Sequence, residues 1–140
     1  MAKKLKLDRD FVPCPESEGD ELFANGIFEF NITKMIEHIR ERPGEFVPEE
    51  IAVDDFNRFE PFADSKLESI RIGDPVIIAE IAPGKYNLID GNHRMEKARR
   101  LGIKSILAYR LTVDHHVRFL TERKAYETYI EYWNGKLRDM

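Results

Sequence analysis

A run of predicted strands and turns between residues 75 and 102 constrains the fold of this chain more than any other part of the sequence. Pro75–Ile81 is rich in Val and Ile and predicts a buried strand. Pro83-Gly84 predicts a tight turn, since proline presets its own φ and glycine accepts a positive φ at the next position. Tyr86–Ile89 predicts a partner strand. Apolar residues at helical spacing follow Asp90-Gly91, so the sequence predicts a sharp turn from a strand into a helix.

Further helices and strands are predicted on both sides of this segment, and together they favour the α+β class. They are a helix over Asn31–Arg42 capped by Asn31, a strand at Ile51–Val53, a loop over Asp54–Pro61 with aromatic anchors at Phe56, Phe59 and Phe62, a short helix from Asp64 or Ser65 to Arg71, a strand at Ile103–Leu111, and a long helix from Asp114 to Asn134 ended by Gly135. Residues 1–26 show no sustained period and predict an irregular arm. Residues 27–140 are predicted to form a single domain.

Length and composition restrict the compartment and the kind of site. A chain of 140 residues is long enough for one domain with its own core. No apolar run approaches the length that crosses a bilayer, and no secretory signal is indicated, so we expect no membrane partner. The single cysteine, Cys14, excludes an intramolecular disulfide and a zinc site of several thiolates. These features predict a cytoplasmic protein.

The net charge of −4 hides an asymmetry along the chain. Residues 1–84 carry 10 basic and 19 acidic residues, a net charge of −9, whereas residues 85–124 carry 10 basic and 4 acidic residues, a net charge of +6. An anionic ligand is therefore expected at the second segment. The alternative is that the two segments neutralise each other on one surface.

The turn at Asp90 to Arg94 is the candidate binding site. The first amides of a helix lack partners within the helix, and the macrodipole places partial positive charge there, so such a turn attracts phosphate. Gly91 allows close approach to the backbone, Arg94 adds a planar fork of donors, and His93 adds a donor that titrates near neutral pH. Asp90 is a candidate Mg²⁺ ligand or proton acceptor. The alternative is that Asp90 only caps the helix and that Gly91, His93 and Arg94 are an ordinary turn and a solvated first turn.

Residues Lys85–Gly102 resemble the signature box of the ParB/sulfiredoxin superfamily, with Asp90-Gly91-Asn92-His93-Arg94 at its centre. The resemblance covers residues 51–112. It implies a small mixed sheet with short helices and a long C-terminal helix, and a nucleotide whose phosphates lie on the Gly91 turn. The positions through which sulfiredoxins bind ATP correspond to Lys66, Ser69, His93 and Arg94. ATP is thereby favoured over CTP, and Lys66 and Ser69 are expected on one face of the short helix.

Two departures from the superfamily limit what the resemblance implies. Asn92 stands where sulfiredoxins carry their nucleophilic cysteine, so their redox chemistry is not expected. The segment from Asp114 to Met140, predicted as one helix, follows the box in place of a helix-turn-helix domain, so centromere binding of the partition-protein type is not expected.

Three functions remain open from the sequence. The first is a nucleotide-binding enzyme of Mg²⁺-dependent phosphoryl transfer or nucleotide hydrolysis, with Asp90 and His93 as catalytic candidates, Asp90 as the metal ligand, and Lys66, Ser69, Gly91, Asn92, His93 and Arg94 binding the nucleotide. The acceptor substrate is not indicated. The second is a DNA-binding or nuclease-like protein of a partition, plasmid or phage system. The third is a non-catalytic domain that acts through protein contacts.

Overall fold

The structure is a computed structural model that describes residues 2–56 and 63–140. Six helices and six strands follow in the order β1 (Leu22–Asn25), β2 (Phe28–Asn31), α1 (Ile32–Arg40), β3 (Glu49–Ala52), α2 (Val53–Phe56), α3 (Asp64–Leu67), β4 (Val76–Ala82), β5 (Lys85–Asp90), α4 (Asn92–Arg100), β6 (Ser105–Leu111), α5 (Val113–His116) and α6 (Arg123–Arg138) within these ranges. This mixture confirms the α+β class. In the predicted loop after β3, residues 53–56 are helical, and residues 57–62, with Phe59 and Phe62, lie outside the described ranges.

The main sheet has four strands in the order β3-β6-β4-β5. β6 runs antiparallel to β3 and parallel to β4, and β4 runs antiparallel to β5. A mixed sheet of the kind that the resemblance implies is therefore present. The register pairs Ile77 with Asp90, so the end of β5 lies beside the start of β4. The segment that leads into β4 consequently borders the turn between β5 and α4.

Both faces of β4 are buried, as the predicted Val/Ile-rich strand requires. Alternate side chains of a strand point to opposite faces. Val76 and Ile78 pack with α4 in one hydrophobic cluster, whereas Ile77, Ala79 and Ile81 belong to a second cluster with α1 and α6. The sheet is thus covered on both sides, and α4 packs on the face that carries Val76 and Ile78.

The N-terminal segment is bound to α6 and contains one strand that the sequence does not predict. Residues 2–21 form neither helix nor strand, and the Trp133 indole Nε1 donates to the Lys3 carbonyl over 2.9 Å. The ring of Phe11 stacks on Tyr126 with centroids 3.8 Å apart. The prediction of an irregular arm to residue 26 is wrong for β1, which pairs with β2. Its strand is too short to give a period, and it is stabilised by pairing with β2, whose Phe28 and Phe30 are in the core.

The predicted single helix over Asp114–Asn134 is wrong, because the chain breaks between α5 and α6. Leu120 is extended and forms an antiparallel bridge with Phe30, and the amide of Thr121 donates to the Glu29 carbonyl. Pairing with β2 therefore replaces helical hydrogen bonds at this point. α6 continues past the predicted end to Arg138. Within the described residues, no helix has the length and apolar character needed to cross a membrane.

Candidate functional site

The backbone turns from β5 into α4 at Gly91, as the sequence predicts. Gly91 has φ +105° and is the N-cap of α4, which has no side-chain cap. The proposed capping role of Asp90 is therefore wrong. By contrast, α1 is capped as predicted, because the Asn31 side chain accepts from the amide of Lys34 over 3.0 Å. Among the described residues, no side chain therefore caps the positive N-terminus of α4.

Glycine is required at position 91 for a reason that the sequence did not reveal. A Cβ at this position would lie 2.8 Å from the Cβ of Val76 and would overlap its Cγ1. The positive φ adds strain for any L-residue with a side chain. Gly91 therefore allows the turn to pack on the first residue of β4.

A cleft of about 500 Å³ opens at this turn, and we call it the α4 cleft. It is lined by Glu21, Phe23, Ser69, Ile70, Arg71, Asp74, Ile89, Asp90, Gly91, Asn92, His93 and Arg94. The structure thus brings together six of the seven predicted site residues, although they come from two separate parts of the sequence. Exposed His93 lies in the first turn of α4.

Lys66 is the predicted site residue that does not line the α4 cleft. α3 begins at Asp64 without a side-chain cap and ends at Leu67 instead of Arg71. Ser69 consequently lies in the turn after the helix, and the expectation that Lys66 and Ser69 share one helix face is wrong. Ser69 reaches the cleft, whereas Lys66 is exposed outside its lining.

The guanidinium of Arg94 is held in a fixed orientation at the edge of the α4 cleft. Its Nη2 donates to Asp90 Oδ2 over 2.9 Å, and its Nη1 donates to the carbonyls of Pro75 over 2.7 Å and Asp74 over 3.1 Å. Arginine carries more N–H donors than these three bonds use. Arg94 can therefore keep its position and still donate to an anion.

Asp90 and Arg94 form a partly buried ion pair, with 11% and 18% of their side chains exposed. A Mg²⁺ ion or a proton at Asp90 must therefore compete with the guanidinium for the carboxylate. Within residues 2–56 and 63–140, no group of three or more His, Cys, Asp or Glu side chains is arranged to hold a metal ion. Mg²⁺ usually needs only one or two carboxylates when phosphates supply the other ligands, so Asp90 still suits a phosphate-bound ion.

Glu21 is a site residue that the sequence did not identify. Its amide donates to Thr33 Oγ1 over 2.7 Å and its carbonyl accepts from the amide of Ile32 over 2.8 Å, so its backbone is fixed against α1. Its exposed carboxylate lines the α4 cleft and forms no hydrogen bond or ion pair with any residue in the described part of the chain. Glu21 reaches the cleft through the pairing of β1 with β2, and this long-range placement leaves no motif in the sequence.

The position of α4 is fixed by the buried carboxylate of Glu96 and by the partly buried amine of Lys97. Glu96 is 1% exposed and accepts from Arg99 Nε over 2.9 Å and from Arg100 Nε over 2.6 Å. The hydrogen bonds from Arg99, followed by those from Arg100, lower the pKa of Glu96 to about 2. Lys97 Nζ donates to the Ile70 carbonyl over 2.8 Å, which ties α4 to the turn that carries Ser69.

Many cations of the basic segment 85–124 are neutralised or used within this chain. Arg94 pairs with Asp90, and Arg99 and Arg100 pair with Glu96, as described above. Arg110 pairs with Glu49 over 2.6 Å, and Arg123 Nη1 donates to the Phe11 carbonyl over 2.8 Å. The pairs of Asp90 and Glu96 lie within the segment and leave its net charge of +6 unchanged, whereas Arg100 pairs with Asp64 and Arg110 with Glu49 of the acidic segment. These two pairs offset part of the charge asymmetry.

The chain matches no protein-family model, and neither a curated protein nor a solved structure matches it.

Proposed function

We propose that the chain binds a nucleotide, ATP in preference to CTP, and catalyses Mg²⁺-dependent phosphoryl transfer or nucleotide hydrolysis in the α4 cleft. The observation that carries this proposal is the joint placement of an uncapped helix N-terminus and the oriented guanidinium of Arg94 on one cleft. Both features favour an anion with several oxygens. The nucleotide itself rests on the resemblance of residues 85–102 to the ParB/sulfiredoxin superfamily.

Each residue of the α4 cleft has a distinct part in this proposal. The first-turn amides of α4 and Arg94 hold phosphate oxygens, and Ser69 and His93 donate from the sides. Asp90 orients Arg94 and would also hold a Mg²⁺ ion, which would supply positive charge to the phosphates. Glu21, which is not paired with an arginine, takes the proton of the attacking water or hydroxyl. This assignment moves the base from Asp90 to Glu21, because Arg94 Nη2 already occupies Asp90 Oδ2.

Calorimetric titration of the full chain with MgATP and MgCTP tests the binding. Arg94→Ala should weaken binding by at least about tenfold, since a hydrogen bond to a charged group contributes about 1.5–3 kcal/mol. Arg118→Ala is the matched control, because Arg118 is exposed in the same basic segment and does not line the cleft. Thermal unfolding of both variants verifies that they fold. Absence of heat with either nucleotide, or equal affinities of Arg94→Ala and the unmodified chain, contradicts the proposal.

Asp90→Asn separates the two parts given to Asp90. Asparagine keeps an oxygen that accepts from Arg94 but removes the charge that attracts Mg²⁺. If Asp90 faces the metal, turnover of MgATP should fall while binding of metal-free ATP is kept or strengthened. If Asp90 serves Arg94 alone, both quantities should stay close to those of the unmodified chain.

A DNA-binding or nuclease-like function has less support from the folded chain. Nucleic-acid binding depends on cations that are available to phosphates. Several arginines of the basic segment are instead held by carboxylates or carbonyls of this chain, namely Arg94, Arg99, Arg100, Arg110 and Arg123. A gel shift with duplex DNA across a salt series distinguishes this function. Strong binding that weakens steeply with salt would favour it over the nucleotide cleft.

A further inference from the structure

A second cleft, of about 760 Å³, lies where the N-terminal segment packs on α6, and we call it the lysine cleft. Lys3, Lys4 and Lys6 of that segment all line it. The lysine cleft and the α4 cleft have no lining residue in common. The lysine cleft is therefore a separate candidate site, and the proposed function uses none of its residues.

The backbone that carries the three lysines is fixed on α6 by side-chain hydrogen bonds. The Asn134 side chain accepts from the Leu5 amide over 2.8 Å and donates to the Leu5 carbonyl over 3.0 Å. Trp133 Nε1 donates to the Lys3 carbonyl over 2.9 Å. Because these contacts order the segment in the free chain, a ligand that binds there does not have to order it.

The ammonium groups of the three lysines are available to a ligand. All three side chains are exposed, and none of the ammonium groups has a hydrogen bond or an ion pair with a residue that the structure describes. Among the described residues, the side-chain carboxylates that line the cleft are those of Glu80 and Asp114. Glu80 already accepts from the Gly84 amide over 3.0 Å and from the Val113 amide over 3.3 Å. The cations outnumber these carboxylates, so the cleft favours an anion.

Apolar side chains line the lysine cleft beside these cations. Leu5 and Val117 are half-buried and offer apolar surface to a ligand, and the buried Ile130 and Trp133 also contribute to the lining. Leu5 and Val117 pack against the hydrophobic cluster that contains Ile130 and Trp133. An alkyl chain on this surface would lose contact with water, which favours binding in proportion to the area covered. The lining therefore suits a ligand that is both apolar and anionic.

We propose that the lysine cleft binds a fatty acid, that is, an alkyl chain with one carboxylate. The alkyl chain packs on Leu5, Val117 and Ile130, and the carboxylate pairs with the lysine ammonium groups. The cleft volume of about 760 Å³ lies within the range of about 300–1,000 Å³ that small-molecule sites occupy. A small polar anion such as phosphate would leave the apolar lining uncovered, and an uncharged alkane would leave the lysines without a partner.

Titration of the isotope-labelled full chain with decanoate, followed by amide and indole NMR shifts, tests the site. Trp133 is the single tryptophan of the chain and lines the lysine cleft, so its indole signal reports directly on the ligand. Saturable shifts are expected for Trp133, Leu5 and Val117, and none for His93 in the α4 cleft. Decyltrimethylammonium, which carries the opposite charge on the same chain, should bind at least about tenfold more weakly than decanoate. Acetate, which lacks the chain, should bind more weakly than decanoate by at least the same factor.

Replacement of two lysines tests their part in the binding. The double variant Lys4→Gln, Lys6→Gln should weaken decanoate binding by at least about threefold, because each exposed ion pair contributes a modest factor to the affinity. The matched control is Lys104→Gln, Lys124→Gln, which removes the same charge from exposed lysines that do not line the cleft. This control should keep the affinity for decanoate within about twofold.

Four results would each overturn the fatty-acid site. They are an absence of saturable shifts with decanoate, shifts that occur at the α4 cleft instead, an affinity for decyltrimethylammonium or acetate equal to that for decanoate, and equal affinities of the Lys4→Gln, Lys6→Gln variant and the unmodified chain. The lysine cleft does not depend on nucleotide binding, so these results leave the proposed function unchanged.

Discussion

His116 should make the folded chain sensitive to mild acid. Its imidazole is fully buried, and Nε2 lies 2.6 Å from the Glu80 carbonyl oxygen. A carbonyl only accepts, so Nε2 carries the hydrogen and Nδ1 is the lone-pair nitrogen. Nδ1 is buried without a hydrogen-bond partner among the described residues. Burial lowers the pKa of His116 from its ordinary value of 6.5 to about 4, because a charged ring would lose its hydration.

The sign and size of the effect follow from this pKa difference. Above about pH 6.5 the ring is neutral in the folded and the unfolded chain, and its contribution does not change with pH. As the pH falls below that value, the unfolded chain binds a proton that the folded chain refuses, so the free energy of unfolding falls. The decrease continues through the folded pKa of about 4 and amounts to about 3 kcal/mol in all, of which about 2 kcal/mol is lost by pH 5.

Urea denaturation at several pH values measures this decrease, with His116→Phe as the comparison. Phenylalanine keeps the ring packing against Phe30 and Tyr129 but removes the titrating group. The unmodified chain should lose about 2 kcal/mol more than His116→Phe between pH 6.5 and pH 5. Parallel pH profiles of the unmodified chain and His116→Phe would refute the reasoning.

Three further changes test the framework around the site. Gly91→Ala should lower the free energy of unfolding by about 2 kcal/mol or more, because the new Cβ overlaps Val76 and the φ of this residue is positive. Gly102 also has a positive φ, but no atom lies near its Cβ position, so Gly102→Ala should lower the free energy of unfolding by only about 1 kcal/mol. Chemical denaturation measures both variants. Glu96→Gln should lower the melting temperature at neutral pH. The difference in melting temperature between the variant and the unmodified chain should shrink as the pH falls from 4.5 toward the Glu96 pKa of about 2, because the unmodified carboxylate then takes up a proton. Phe11→Ala should increase amide hydrogen exchange over residues 2–14 without changing that of β4, since it removes the ring that stacks on α6, and equal exchange in both chains would contradict that anchoring.

The elements that the sequence predicts well are those whose pattern is set by burial on their own faces. β4 is buried on both faces and β5 follows it after a turn that glycine and proline specify, so local signals agree with the tertiary structure. Asn31 caps α1 as predicted for the same reason. Where a long-range contact determines the backbone conformation, the local prediction is wrong. The bridge from Phe30 to Leu120 separates α5 from α6, although the spacing of apolar residues there predicts one continuous helix.

The same distinction applies to the site. The Asp90-Gly91 turn and the start of α4 are local, and the sequence places them well. Ser69 and Glu21 reach the α4 cleft through the turn after α3 and through the β1–β2 hairpin, which no spacing along the chain encodes. Lys66 does not share a helix face with Ser69, because α3 ends at Leu67, before the spacing of three residues can place the two side chains together.

The ion pair between Asp90 and Arg94 shows why residue types alone do not assign roles in this site. Asp90 precedes Arg94 by four residues, and this spacing brings the two side chains together across the first turn of α4. A basic residue in a first turn opposes the helix dipole, so an acidic neighbour compensates it in the absence of ligand. The carboxylate that suggested a catalytic base therefore holds the guanidinium of Arg94 in place. The proposed function therefore assigns the proton acceptor to Glu21, which lies on the same cleft with its backbone fixed and has no ion pair with any described residue.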